Sequence, residues 1–174
     1  MEFAFETVYN QKALTIMARA IRKTLRRRKS RRSHIFSWIL IIMGTLLCVL
    51  PREDGYEFDF RIVITGLAVL LLLAVLIWED AINGYVAKKR MLAGTEKNRS
   101  VFSEDGYFSV SELGETQWKY DKIKAIVETP AYFIFVFSQN HAQVYNKSGM
   151  TGGTVDEFRD FIEKKTGVTV EKMK

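Results

Sequence analysis

The sequence predicts an α+β membrane protein in which a two-helix transmembrane hairpin carries a cytoplasmic antiparallel β-barrel or sandwich, capped by a C-terminal helix. Three observations predict it: two uncharged apolar runs in the first half, a dense basic segment before them, and short β-type runs in the second half. At roughly 150 residues per domain, the 174 residues correspond to one small domain with an appendage. We expect the appendage to be the hairpin, at residues 10–94, and the domain to be residues 95–174.

The composition excludes several classes of protein. Two prolines and 11 glycines exclude a collagenous or low-complexity disordered chain. A single cysteine excludes a disulfide framework, and with only two histidines it argues against a Cys/His zinc cluster. Cys48 lies in an apolar run, while His34 and His141 are far apart in the predicted topology, so no Cys/His catalytic pair is expected. We therefore predict no enzyme, no catalytic residue, no metal and no cofactor.

Two apolar runs predict the transmembrane hairpin. Residues 33–50 and 62–78 carry no formal charge, over 18 and 17 residues. At about 1.5 Å per residue each run forms roughly 25 Å of helix, and flanking residues extend it toward the thickness of a bilayer core, about 30 Å. Buried helices of a soluble protein are the alternative, but those normally keep a polar face, whereas these runs are apolar on all sides. We place the spans at about 34–50 and 62–79.

The distribution of positive charge predicts the orientation of the hairpin. Ten of the 26 basic residues lie at 12–32, and no acidic residue lies between Glu6 and Glu53. Three more basic residues, at 88–90, follow the second run. The positive-inside rule then places both termini in the cytoplasm and residues 51–61 outside. Because the first run follows a long charged segment, we expect it to be retained rather than cleaved as a signal peptide.

A basic amphipathic helix is predicted at residues 11–33, where it can run unbroken into the first span. Leu14, Met17 and Ile21 recur on one helical face, while the cations lie mainly on the others. Two interpretations coexist: the cations are a topology signal on a solvated helix, and they attract anionic lipids, at about 1 kcal/mol per basic residue. Nucleic-acid binding is disfavoured, because interleaved aromatic residues and a recognition fold are missing from this segment. The candidate anionic-lipid contacts are Arg22, Lys23, Arg26, Arg27, Arg28, Lys29, Arg31 and Arg32.

Two acidic residues lie where the second span should leave the membrane. Glu79 and Asp80 directly follow the apolar run, and in an antiparallel hairpin they lie level with the residues just before the first span. We therefore predict interhelical ion pairs that join Glu79 and Asp80 to Arg31 and Arg32. Partial desolvation by headgroups should make these pairs worth more than an exposed pair, which contributes about 0–1 kcal/mol.

The C-terminal half changes to a β-type pattern after a linker at 94–98. Its apolar runs are short and bounded by turn residues, which is typical of hairpins. An amphipathic helix follows, with Phe158 and Ile162 on its apolar face and Gly167 at its end, and we expect residues 168–174 to be loosely held. The strands are predicted at residues 99–103, 107–112, 117–120, 123–128, 132–138 and 141–146.

The N-terminal residues supply a further strand. Residues 2–8 alternate polar and apolar side chains, and the predicted topology puts them on the same side of the membrane as the C-terminal half. We therefore expect residues 1–9 to join the module as a seventh strand. Seven such strands and one covering helix are the outline of a pleckstrin-homology-like (PH-like) split barrel.

Four short stretches, combined with the two spans, carry a family resemblance. They are FSV at 108–110, QWKYDKI at 117–123, YFIF at 132–135 and VDEFRDFI at 155–162. With them the chain resembles the YcxB-like family of small bacterial two-span membrane proteins. The resemblance implies a PH-like C-terminal domain, the bacterial cytoplasmic (inner) membrane as location, and no assigned enzymatic activity. The family's Pro-Lys-Arg-type stretch near the last strand is replaced here by Asn146-Lys147-Ser148, in which only Lys147 matches.

The expected function follows from this architecture. We expect a non-enzymatic bacterial inner-membrane protein that presents a PH-like interaction module at the cytoplasmic leaflet. Two alternatives stay open: an immunity or self-protection protein against a membrane-active or secreted toxin, and a lipid-sensing module. The expected partners are the membrane, anionic phospholipids, an unidentified protein and a second copy of the chain as a homo-oligomer, whereas nucleic acid is not expected.

Overall fold

A computed structural model describes residues 2–50 and 60–173 of the chain and has an α+β architecture. The predicted outer loop at 51–61 lies outside the described residues up to position 59. The helices of the described part are α1 (Gln11–Lys23), α2 (Arg27–Val49), α3 (Phe60–Arg90) and α4 (Val155–Thr166). Its strands are β1 (Phe3–Val8), β2 (Lys97–Phe102), β3 (Tyr107–Ser111), β4 (Gly114–Trp118), β5 (Ala125–Glu128), β6 (Tyr132–Ser138), β7 (His141–Asn146), β8 (Met150–Thr151) and β9 (Val170–Lys172).

Two long helices, α2 and α3, form an antiparallel hairpin. Both are long and apolar enough to cross a membrane, and hardly any residue of their apolar segments is buried within the protein. They approach each other closely at Gly44, where an added Cβ would lie 2.6 Å from Val69 Cγ2. Helix α3 bends at Trp78, whose φ of −103° and ψ of 16° are not helical. This bend separates its apolar part from a more polar end, residues 79–90, which we call the α3 extension.

Two sheets form the β module, which consists of β1 and residues 97–173. The five-stranded sheet has the order β4-β3-β2-β1-β8, and the four-stranded sheet has the order β7-β6-β5-β9. Neighbouring strands are antiparallel except for β5 and β9, which are parallel. The N-terminal strand lies inside the first sheet, where Phe5 pairs with Ser100 of β2 and Met150 of β8. The alternating residues 2–8 therefore contribute a strand to the module, at 3–8.

Strand β6 shows why this module needs a cover on both sides of its four-stranded sheet. Side chains alternate between the faces of a strand. Phe133 and Phe135 point into an aromatic core between the two sheets, which α4 closes with Phe158. Ile134 and Val136 belong to a second apolar cluster on the opposite face of the sheet. A continuous apolar strand is stable only when both clusters are shielded from water.

Helix α1 covers that second face. It begins after Asn10, whose side chain accepts a hydrogen bond from the Ala13 N–H at 2.9 Å and so caps the helix. Ala13 and Ala20 are fully buried in the cluster that contains Ile134 and Val136. Another side of α1 lies on the α3 extension. Helix α1 is therefore a layer between the β module and the hairpin.

The basic helix predicted at 11–33 is two helices. Helix α1 ends at Lys23 and α2 begins at Arg27, so the unbroken helix was a wrong prediction. Between them Thr24 has a non-helical φ of −102° and ψ of −98°, and its hydroxyl donates to the Ala20 carbonyl at 2.7 Å. The break separates α1, which packs on both the four-stranded sheet and the α3 extension, from α2, which packs on the apolar part of α3.

The prediction of a loosely held tail at 168–174 is wrong for the described residues of that tail. Strand β9 pairs with β5, and the Met173 N–H donates to the Glu128 carbonyl at 2.8 Å. The Val170 N–H donates to Glu163 Oε1 at 2.6 Å, which ties the tail to α4 as well. A parallel strand of three residues is too short for a periodic pattern, so the sequence does not reveal it.

Candidate functional site

The eight predicted lipid contacts lie at the junction of α1 and α2, which we call the basic elbow (residues 22–32). The bend at Thr24 brings the end of one helix and the start of the next to the same corner of the protein. Six of the eight side chains are exposed, so they are available to a ligand. The exposed ones are Lys23, Arg27, Arg28, Lys29, Arg31 and Arg32, and the half-buried ones are Arg22 and Arg26.

The basic elbow opposes the dipole of α2. Helix α2 begins with cations, has no acidic residue in its first turn, and its N-cap residue, Arg26, makes no side-chain capping hydrogen bond. A cation at the positive end of a helix dipole is unfavourable, and each such charge destabilises the helix by about 0.3–1 kcal/mol. Helix stability therefore does not account for the cations, and both roles expected from the sequence, a topology signal and attraction to anionic lipids, stay predictions.

The fold divides the cations of the basic elbow between two faces. The β9 face surrounds a cavity of about 550 Å³ that is closed on one side by β9. The Gln139 face borders a cavity of about 590 Å³ beside the β6–β7 turn. Because residues four apart share one face of a helix, neighbouring cations are separated. Arg27 borders both cavities, while Lys23, Arg31 and Lys172 belong to the β9 face and Arg28, Lys29 and Arg32 to the Gln139 face.

An acid–base cluster joins the basic elbow to α3. Asp80, which is buried, accepts two hydrogen bonds from Arg22, from Nε and Nη2, each at 2.7 Å. Arg19 Nε donates to the same carboxylate at 3.2 Å, and the hydrogen bond from Arg22 to Asp80 raises the pKa of Arg22. Glu79 lies 2.7 Å from His34 Nε2 and 3.6 Å from Arg22 Nε. This cluster links three helices at the bend of α3.

The partners of the two acids differ from the prediction. Within residues 2–50 and 60–173, no ion pair or hydrogen bond joins Glu79 or Asp80 to Arg31 or Arg32. The break at Thr24 is the reason, because it folds the end of α1 onto the α3 extension in the position that an unbroken helix would have left open. Arg31 stays on the cavity wall of the β9 face instead.

Helices α1 and α3 are in close contact beyond this cluster. A Cβ added at Gly84 would lie 2.7 Å from the backbone nitrogen of Thr15, so only glycine fits at this crossing. Farther from the elbow, Lys88 Nζ donates to the Tyr9 carbonyl at 3.3 Å. These contacts run along the whole of α1, and they fix the direction of the β module relative to the hairpin.

A buried ionic cluster inside the β module was not predicted. Glu128, at the end of β5, accepts hydrogen bonds from Arg159 Nε at 2.6 Å, Arg159 Nη2 at 2.8 Å and Lys147 Nζ at 2.6 Å. The hydrogen bond from Arg159, followed by that from Lys147, lowers the pKa of Glu128 to about 2. An acid that ends an otherwise apolar strand was the available sequence signal, but its partners lie 19 and 31 residues away.

In residues 2–50 and 60–173, no group of three or more His, Cys, Asp or Glu side chains is placed to hold a metal ion. The absence of an enzyme activity and of a cofactor stays a prediction. The acids of the predicted outer loop, Glu53, Asp54, Glu57 and Asp59, lie outside the described residues.

Part of the β module is similar to a known protein family. No curated protein matches the chain. Residues 102–162 match the model of a family described as YcxB-like protein. The match begins at the end of β2 and ends within α4, so it includes Glu128, Lys147 and Arg159 and leaves out α1, the basic elbow and the hairpin. The β module of this chain is therefore similar to YcxB-like proteins over residues 102–162.

Proposed function

We propose that this chain is a non-enzymatic bacterial inner-membrane protein that holds a PH-like module in a fixed position at the cytoplasmic leaflet, where the module binds a protein. Helices α2 and α3 would cross the membrane, and both ends of the hairpin would be cytoplasmic. Support comes from the exposed apolar surface of both helices and from the cations at one end of the hairpin.

The observation that carries this proposal is the position of α1 between two surfaces. One side of α1 is buried on the four-stranded sheet, and another lies on the α3 extension at Gly84. A module joined only through the linker at 94–98 would rotate freely above the membrane. This one is attached by a packed helix and by the Asp80 cluster, which supports a function that depends on its position and direction.

The free edge of the five-stranded sheet is the surface that we propose for the protein partner. Within the described residues β4 is an outer strand that pairs only with β3, and residues 114–117 are exposed. Such an edge offers unpaired backbone groups to an extended segment of a partner, which then adds a strand to the sheet. The strand order places this edge at the opposite end of the sheet from β8.

Site-specific photocrosslinking in intact cells tests the proposal. A photoreactive residue in place of Glu115 on β4 should give one discrete crosslinked protein, whereas the same residue in place of the exposed Asp160 on α4 should not. The Glu115 product should be lost in Gly84→Val, which separates α1 from α3. Crosslinking of equal strength at both positions, or a product unaffected by Gly84→Val, would contradict it.

Lipid sensing is the second candidate function, and the basic elbow favours it. If the first span begins near residue 34, Arg31 and Arg27 lie about 5 and 10 Å above it along the helix, at 1.5 Å per residue. The headgroup layer adds about 5–8 Å on each side of the bilayer core, so the backbone of Arg31 lies within it and that of Arg27 just beyond it. Salt-sensitive binding of the full chain to anionic rather than neutral lipid would support this second function.

A further inference from the structure

We propose that the β9 face of the basic elbow is a binding site for the phosphate group of one anionic phospholipid. The inference deepens the proposed function and rests on it, because it requires α2 to enter the membrane just below the elbow. It goes beyond general attraction between cations and a membrane, since it assigns the binding to one face and one cavity.

The shape of the cavity supports a single bound headgroup. Its volume of about 550 Å³ lies within the range of about 300–1,000 Å³ that is usual for small-ligand sites. Three elements form its walls: the end of α1 with Lys23, the start of α2 with Arg27 and Arg31, and β9 with Lys172. The backbone hydrogen bond from Met173 to Glu128 holds β9 in place, so the third wall is part of the folded module.

The charges of the cavity favour an anion. In the part of the chain that the structure describes, Lys23, Arg27, Arg31 and Lys172 form no ion pair. Glu171 is the acid on the cavity wall, so these four cations exceed the acid by three charges. Arg22 and His34 also border the cavity, but Asp80 and Glu79 already bind them.

The kind of donor in the cavity matches a phosphate. Guanidinium groups bind phosphate oxygens through paired hydrogen bonds, and Arg27 and Arg31 supply two of them one helical turn apart. Ser30 lies between them on the cavity wall. The Thr24 hydroxyl is not available as a donor, because it already donates to the Ala20 carbonyl.

The Gln139 face provides a matched control within the same protein. Apart from Arg27, which borders both cavities, each face has three exposed cations, and those of the Gln139 face, Arg28, Lys29 and Arg32, all lie on α2. The cavity of the Gln139 face has no wall from β9, and the β module contributes the neutral Gln139 to it instead of the cation Lys172. If the lipid is held only by general electrostatic attraction, the two faces should contribute equally to its binding. If it is held in the cavity of the β9 face, removal of the β9-face cations should weaken binding more.

The test compares two triple variants of the full chain with identical changes in charge. The first combines Lys23→Gln, Arg31→Gln and Lys172→Gln, and the second combines Arg28→Gln, Lys29→Gln and Arg32→Gln. Each is placed in phosphatidylcholine nanodiscs that contain some phosphatidylglycerol, and the phosphatidylglycerol retained per chain is counted by native mass spectrometry. Wild type and the Gln139-face variant should retain one molecule, and retention by the β9-face variant should fall by about tenfold or more.

Two results would overturn the inference. Equal losses in the two triple variants would show diffuse attraction to the bilayer. The second result concerns inorganic phosphate or glycerol 3-phosphate added in neutral detergent. If either binds wild type as tightly as the lipid does, and does not bind the β9-face variant, the site takes free phosphate rather than a lipid.

Photocrosslinking from position 115 in the β9-face variant separates this inference from the proposed function. If lipid retention does not follow the prediction but the crosslink is unchanged, the lipid site is refuted and the proposed protein-binding function is not. Both variants must unfold at a temperature within a few degrees of that of wild type. If Lys172→Gln detaches β9, the double variant with Lys23→Gln and Arg31→Gln replaces the triple variant.

Discussion

Replacement of Glu128 by glutamine should destabilise the β module by about 3 kcal/mol. The cluster with Arg159 and Lys147 lowers the pKa of Glu128 from 4.5 to about 2. Since each pKa unit corresponds to about 1.4 kcal/mol, this shift is worth about 3 kcal/mol of folding free energy. The side chain of Glu128 is only 8% exposed, so solvent screens the interaction little. Removal of one partner from a buried ion pair typically costs about 3–5 kcal/mol, which agrees.

The same cluster predicts a pH dependence. Because the pKa of Glu128 is lower in the folded than in the unfolded state, its contribution is fully present above about pH 4.5 and is lost as the pH falls toward 2. The difference in stability between wild type and Glu128→Gln should therefore be largest near neutral pH. It should shrink as the pH falls through this window.

Thermal unfolding of the full chain in nanodiscs measures both effects. For a chain of this size a loss of 3 kcal/mol should lower Tm by about 6–12 °C at neutral pH. Asp160→Asn, at an exposed position of α4, is the control and should change the stability by less than about 0.5 kcal/mol. A loss below about 1 kcal/mol, or a difference that stays constant down to pH 2, would refute the reasoning.

Three further predictions concern the contacts between the module, α1 and α3. Gly84→Val should destabilise the α1–α3 contact by about 1–3 kcal/mol and speed hydrogen exchange in α1, whereas Gly66→Ala, where a Cβ meets no atom within 4 Å, should not. Asp80→Asn should cost about 1–3 kcal/mol because it removes the negative charge and one of the two acceptor oxygens that bind Arg22 and Arg19, and trypsin should cut the basic elbow faster; an unchanged rate would count against it. Val170→Asp should release β9 and raise hydrogen exchange over residues 168–173, an effect not expected from the same change at the exposed Glu171.

Sequence reasoning located most strands well because their patterns are local. The predicted strands at 132–138 and 141–146 have the bounds that the structure gives them. The strand predicted at 117–120 lies instead at 114–118, since Tyr120 enters a short 3₁₀ turn and its hydroxyl donates to the Ser103 carbonyl at 2.7 Å. That contact depends on a residue 17 positions away, so no local sequence pattern predicts it.

The candidate site was predictable in composition but not in arrangement. The cations of residues 22–32 are evident from the sequence, and so are the two acids that follow the second apolar run. The division of those cations between two faces depends on the break at Thr24 and on β9, which closes one cavity. Helix α1 and β9 are both held by residues that are distant in the sequence, and local propensity does not encode such contacts.

The pairing of β1 with β2 has a consequence for synthesis of the protein. Phe5 pairs with Ser100, so the first strand waits for about 95 further residues before its neighbour exists. At about 5–20 residues per second, this wait lasts roughly 5–20 s, during which the ribosome also makes both apolar helices. Phe3 and Phe5, fully buried in the finished protein, lack their neighbouring strand β2 throughout that time. Docking of the N-terminal strand is therefore a late step in folding, because it follows the synthesis of both apolar helices and of β2.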